Sequence, residues 1–231
     1  MKTLGIIGGI GPESTMEYYR TIIALFREQA GDGSYPQFII NSIDLKREID
    51  LVTAGDAKAT TDYLLDEIGK LARAGADFGI IASNTPHIVF DEIAARSPIP
   101  LISIVEVAVA VAKKRGWKRP ALFGTRFTMN GRFYPDVFGR EGIELVVPNP
   151  DDAAYIHDKY MNELVNGNFL PEIRAHLLEI VDRMRQTSRI DSVILAGTEL
   201  PLLLRDPDYN GIPFLDTMRV HAEATVRRML E

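Results

Sequence analysis

Two stretches carry the polar residues whose types and spacing could do chemistry. Ile80 to His87 reads Ile-Ile-Ala-Ser-Asn-Thr-Pro-His, an apolar run that breaks into Ser83, Asn84 and Thr85. Ser192 to Pro201 reads Ser-Val-Ile-Leu-Ala-Gly-Thr-Glu-Leu-Pro, with Thr198 and Glu199 where Asn84 and Thr85 stood. A run that ends this way is the pattern of a buried parallel strand at its C-terminal end, and open α/β sheets bind ligands just beyond such ends. The two ends are expected to face each other across one small-molecule site. Ser83 and His87 could pair as nucleophile and base, but no third residue can be assigned to orient the imidazole.

The elements that must position these residues follow in order. Leu4 to Ile7 read as a buried strand, and Gly8, Gly9 and Gly11 as a tight turn into a helix from Pro12 to about Gln29. Such a turn either presents backbone N–H groups to an anion or only reverses the chain. It does not fit the dinucleotide fingerprint, since Gly-Gly-Ile-Gly lacks the Gly-x-Gly-x-x-Gly spacing. Strands are expected at Phe38–Asn41, Phe78–Ala82, Leu101–Ile104, Ala121–Phe123, Glu144–Val147 and Ser192–Leu195. Helical periodicity covers Ala57–Arg73, Val105–Arg115, Asp152–Val165, Pro171–Gln186 and Thr217–Leu230, with shorter stretches at Asp91–Ala95 and near Met129.

This order occurs twice. Leu4 matches Ala121 and Ser83 matches Gly197, two offsets that agree within a few residues. The agreement suggests a duplicated α/β half, and two such halves would frame a cleft for a small ligand.

Composition bounds the function. The chain has 231 residues, 46% hydrophobic and 25% charged, ample for one large or two small domains. A net charge of −6 and a pI near 5.3 argue against general nucleic-acid or anionic-membrane binding. No apolar run reaches the roughly 18–20 residues of a membrane span, and Met1-Lys2-Thr3 leads straight into strand pattern without a signal-peptide layout. The expected location is the cytoplasm. The chain contains no cysteine, which removes disulfides, thiolate metal sites and thiol catalysis together. No His, Asp or Glu spacing makes a metal site.

Gly5-Ile-Ile-Gly-Gly-Ile-Gly-Pro-Glu-Ser-Thr15, Ser83-Asn-Thr-Pro-His87, Gly197-Thr-Glu-Leu-Pro201 and Asp216-Thr-x-x-x-His221 resemble the aspartate/glutamate racemase family, in family order across nearly the whole chain. The resemblance implies two pseudo-symmetric flavodoxin-like α/β domains, doubly wound and mainly parallel, with the site at their interface. The first would comprise residues 1–100 plus 213–231 and the second 101–212. It also implies a homodimer and an acidic amino acid or related dicarboxylate as substrate, with no cofactor, neither pyridoxal phosphate nor metal. In the family, cysteines precede Asn-Thr and Thr-Glu; one removes the α-proton and the other returns a proton to the opposite face. Thiols suit this task because they titrate near working pH.

Here those positions are Ser83 and Gly197. A serine hydroxyl is a far weaker acid and needs its own base, and glycine offers no side chain. The two-thiol reaction therefore does not carry over. By the same resemblance, Asn84, Thr85, Thr125 and Thr198 match positions that bind the α-carboxylate, and Arg47 matches the residue that recognises the side-chain carboxylate, for which a planar fork is apt. The alternative for Arg47 is a solvated helix surface. His87 and Glu199 are expected to support the site from behind, His221 to tie down the terminal helix, and His157 and His176 to lie on the surface. Lys159 is either a second cation or half of an ordinary pair with Glu163. Three functions stay open: a weak or altered amino-acid racemase; a decarboxylase, isomerase or lyase on the same scaffold; and a non-catalytic binder.

Overall fold

The computed structural model describes all residues from Met1 to Glu231. The chain forms two compact units, Met1–Ile104 with Met218–Glu231, and Val105–Thr217. No helix is long and apolar enough to cross a membrane.

The first unit contains β1 (Leu4–Gly8), α1 (Pro12–Ala30), β2 (Phe38–Ser42), α2 (Leu45–Thr53), α3 (Ala57–Arg73), β3 (Phe78–Ile81), a 3-10 turn at Thr85–Val89, α4 (Phe90–Arg96) and β4 (Leu101–Ile102). Its strands are parallel in the order β2-β1-β3-β4. Side chains alternate across the sheet as strand geometry demands. Leu4, Ile6 and Ile80 pack with Tyr18, Ile22 and Phe26 of α1 on one face. Ile7 and Ile81 pack with Leu64, Ile68 and Leu71 of α3 on the other. The three- and four-residue spacing within each helix turns one stripe toward the sheet.

The second unit contains α5 (Ile104–Lys114) from Val105 onward, β5 (Pro120–Gly124), α6 (Arg126–Asn130), α7 (Phe133–Arg140), α8 (Pro150–Asn162), α9 (Pro171–Ser188), β6 (Ser192–Ala196), α10 (Leu200–Leu203), β7 (Asp208–Tyr209) and β8 (Ile212–Asp216). The sheet order is β5-β6-β8-β7, parallel except for the β7–β8 hairpin. Ala121, Phe123, Val193 and Leu195 pack against Ile156 and Tyr160 of α8 and Leu177 and Val181 of α9. The chain ends in α11 (Thr217–Leu230), whose Met218, Ala222, Val226 and Met229 join the α1 face of the first unit.

Both units are thus doubly wound α/β layers, as the resemblance implies, and some details differ, among them β4, which ends at Ile102 because Ile104 already begins α5. Residues 144–147 form no ladder strand, only a bridge from Val146 to Ala121. Glu144 and Val146 donate their N–H groups to Lys118 and Pro120, but the next donor in that alternation is Pro148, which has none. Strand β8 stays with the second unit because it pairs with β6, so the return to the first unit begins at Met218 rather than at residue 213. The short helices α2 and α10 follow strand ends too closely for periodicity to reveal them.

Candidate functional site

In the first sheet β1 and β3 lie side by side, with Ile7 opposite Ile81. The turn after β1 and the Ser83–Thr85 turn after β3 therefore leave the same edge. The chain departs from β1 toward β2 and from β3 toward β4, which makes this edge a topological switch point. Asn84 is buried, Ser83 nearly so, and Thr85 half-buried. No base or acceptor hydrogen-bonds the Ser83 hydroxyl.

Gly9 has φ +83, and a Cβ there would lie 2.6 Å from Ile43 O and Ser42 Oγ, so only glycine fits. Its N–H donates to Thr15 Oγ1 at 2.9 Å, while the Thr15 and Ser14 hydroxyls both donate to Gly11 O at 3.0 Å. The N–H that the sequence offered to an anion at Gly9 is therefore taken by the first turn of α1.

His87 does not form a pair with Ser83. Its Nε2 accepts the Ile104 N–H at 3.3 Å, its ring stacks on Phe90 at 4.7 Å, and its Nδ1 is buried without a partner. Burial pulls the imidazole down to about 3; His221 adds to the effect and the Ser83 and Asn84 carbonyls oppose it. A neutral ring whose accepting nitrogen is occupied cannot activate a hydroxyl. It braces the Ser83–Thr85 turn against the backbone beyond β4. His221 is likewise buried and pulled down to about 4 by burial. Its Nε2 contacts Ile102 O at 3.0 Å and its Nδ1 contacts Tyr18 Oη at 2.8 Å, joining α11 to β4 and α1.

The second sheet repeats the arrangement. Gly124 lies opposite Ala196, so Thr125 and Gly197 follow adjacent parallel strands at one edge. Thr125 caps α6, its Oγ1 accepting the Thr128 N–H at 3.3 Å. Thr198 and Glu199 are fully buried. Glu199 Oε2 accepts from the Thr198 hydroxyl at 3.1 Å and from the Tyr160 hydroxyl. Burial, with the Glu199 carboxylate, pushes the Tyr160 phenol well above its usual 10. A Cβ added at Gly197 would overlap Tyr160 Cε2 and lie 3.1 Å from its Cζ. Sequence reasoning missed Tyr160, which reads as a core aromatic one turn after Ile156; its link to Glu199 spans 39 positions.

Other residues named from the sequence make the following contacts. Arg47 is exposed and lies over the Tyr63 ring, 4.4 Å from its centroid. It lines a groove of about 350 Å³ with Asp56, Asp62 and Asp66. Lys159 pairs with Asp158 at 3.0 Å rather than with Glu163. The reason is local: α8 ends at Asn162, and Glu163, at the helix cap, accepts from Asn168 Nδ2 at 3.1 Å. His157 is half-buried rather than on the surface, its Nδ1 accepting the otherwise unpaired Arg126 N–H at the start of α6 (3.2 Å). His176, also half-buried, packs against Tyr155. Glu48, absent from the sequence reading because a helical glutamate reads as surface, is 3% exposed with Oε1 unpartnered, and burial alone raises its carboxyl to about 7. No three His, Cys, Asp or Glu side chains gather as a metal site would require.

Comparison with known proteins agrees with this architecture. The broad specificity amino-acid racemase RacX of Bacillus subtilis (strain 168) is 25% identical over 230 residues, covering 98% of each chain. The crystal structure of an aspartate racemase homologue from Pyrococcus horikoshii OT3 is 32% identical, covers 100% of both chains and superposes with a TM-score of 0.83. The aspartate racemase of Picrophilus torridus shares the fold at 22% identity, with 99% and 94% coverage and a TM-score of 0.82. The sequence profile of Asp/Glu/hydantoin racemases matches residues 7–225. The chain belongs to the Asp/Glu/hydantoin racemase family.

Proposed function

We propose that the chain is a racemase-like protein that moves a proton at the α-carbon of an acidic amino acid without a cofactor, and that Ser83 and Gly197 alter this chemistry. The observation that carries the reading is the placement of Ser83–Thr85 and Gly197–Glu199 beyond the C-terminal ends of parallel strands in two sheets, in a chain of this family. In this reading Asn84, Thr85, Thr125 and Thr198 hold the α-carboxylate. Arg47 recognises the side-chain carboxylate after leaving the Tyr63 ring, and His87 and Glu199 hold the turns in place. Ser83 is the one side chain at the two former thiol positions that can carry a proton. That both strand ends serve one substrate molecule is what the family resemblance implies. A cytoplasmic homodimer belongs to the same reading.

A second reading, a non-catalytic amino-acid binder, is favoured by one observation: nothing hydrogen-bonds the Ser83 hydroxyl to activate it. Both readings require binding, which is tested first. Aspartate, glutamate or succinate at millimolar concentration should raise the melting temperature, and Asn84→Ala or Thr198→Val should each weaken binding about tenfold or more, the loss of a hydrogen bond to a charged group. Titrating both variants and their double by calorimetry checks this. Stabilisation by no acidic amino acid, or variants that bind as the parent does, would remove the proposal.

A further inference from the structure

Gly197 does not leave a gap at the β6 end. The Tyr160 ring stands where a side chain at 197 would project: an added Cβ overlaps Cε2 and lies 3.1 Å and 3.2 Å from Cζ and Cδ2. The ring cannot easily swing away. Tyr160 is 6% exposed, shares a packed cluster with Ile156, Leu164 and Leu195, and its hydroxyl donates to Glu199. Overlap of this kind with a packed ring requires the neighbour to move, and packed interiors resist such moves.

We propose that Tyr160 has taken the place of the side chain missing at 197, its ring walling the β6 end and its hydroxyl fixing Glu199, so that residues 160, 197 and 199 form one coupled set. Tyr160 acts here as a positioning residue. Its phenol is held protonated, so it is no base, and the wall it makes carries no group that titrates near neutrality. The functional corollary rests on the proposed function: a substrate at the β6 end meets an aromatic wall, and a thiol placed at 197 does not restore proton transfer on that face while the ring remains. The same coupling explains why a glycine follows β6 although Gly197 is not among the residues with positive φ. The constraint is room, not backbone conformation.

The test exploits the absence of cysteine, since the thiol introduced by Gly197→Cys would be the only one in the protein. Five variants are compared with the parent: Gly197→Cys, Tyr160→Leu, Tyr160→Phe, Gly197→Cys/Tyr160→Leu and Gly197→Cys/Tyr160→Phe. Leucine lacks the Cε2 and Cζ positions, whereas phenylalanine keeps the ring and removes only the hydroxyl. Gly197→Cys alone should lower the melting temperature by roughly 3–10 °C, the cost of overpacking a core in a chain of this size. Adding Tyr160→Leu should recover most of that loss and Tyr160→Phe should recover little. Labelling of the introduced thiol by an aromatic disulfide should run at least about tenfold faster in the leucine double variant, at a rate that rises with pH as the thiolate forms. Additive losses in the cycle, or equal recovery by phenylalanine and leucine, would overturn the proposal. Should Gly197→Cys fail to fold, the same cycle with Gly197→Ala decides, because its one added atom is the overlapping Cβ. None of these readouts needs a substrate. A failed coupling thus counts against Tyr160 alone, and failed binding counts against the proposed function alone.

Discussion

Ser83→Cys should raise the rate of α-deuteron incorporation into aspartate or glutamate by about 10²- to 10⁴-fold, the range that a well-placed proton carrier supplies. The position ends β3 at a switch point and is 9% exposed, and its hydroxyl has no activating base because His87 Nε2 is committed to the Ile104 N–H. A thiol needs no such base. With an ordinary value near 8.5, a few per cent is thiolate at pH 7, and the thiolate is strongly nucleophilic and basic toward carbon acids. The gain should therefore grow with pH until about 8.5, or somewhat higher because the site is largely buried. Substrate affinity should stay within about threefold, since the change replaces one small atom. NMR of the α-proton signal in D2O, followed against pH for parent and variant, reads both the size and the shape of the effect. An unchanged exchange rate in a variant that still binds would mean that the β3 end does not meet the α-carbon.

Glu48→Gln should stabilise the protein by about 3 kcal/mol at pH 8 and hardly at all at pH 4.5. Burial raises the folded-state carboxyl from its ordinary 4.5 to about 7, and Oε1 has no partner to offset the cost. The folded state thus keeps a proton that the unfolded state has released above 4.5. The contribution is fully present below 4.5, falls as pH rises, and is gone above about 7; at about 1.36 kcal/mol per unit this amounts to the figure given. Glutamine keeps the shape without the charge, so the variant should melt roughly 6–12 °C higher at pH 8. The buried imidazoles of His87 and His221 work in the opposite sense. Their folded-state values are pulled from 6.5 to about 3 and about 4, so their contribution is present above 6.5 and is lost as pH falls through those values. Parent stability should accordingly peak near pH 6.5. Urea unfolding of parent and variant between pH 4.5 and 8 checks both signs, and a pH-independent difference between them would show that Glu48 is not held protonated.

The layers of the fold are legible in the sequence because each depends on local pattern. The apolar runs at Leu4, Phe78 and Ser192 mark strands buried on both faces, and the stripe through Tyr18, Ile22 and Phe26 marks a helix on a sheet. The strand-end triplets at Ser83 and Gly197 are legible for the same reason, since the break from apolar to polar falls where the strand meets the edge. What the sequence hides depends on contacts at long separation. Tyr160 reaches Glu199 across 39 positions, and His87 leaves the Ser83 hydroxyl unpaired because a backbone N–H 17 positions on occupies its accepting nitrogen. Glu48 looks like any charged helical residue until Val52, one turn on, shows that its face is buried. Lys159 keeps a cationic side chain but loses Glu163, because the helix ends between them and no periodic rule extends past a cap.

The central claim, proton transfer at the α-carbon by way of the β3 end, is tested most directly by incubating the parent and Ser83→Ala with L-aspartate and L-glutamate in D2O and following deuterium at the α-carbon alongside the enantiomer ratio. The expected result is slow deuterium incorporation by the parent with the L configuration retained, and none by Ser83→Ala although it still binds. Saturating ligand that stabilises the parent while no deuterium enters would contradict the claim and leave the protein a binder of amino acids.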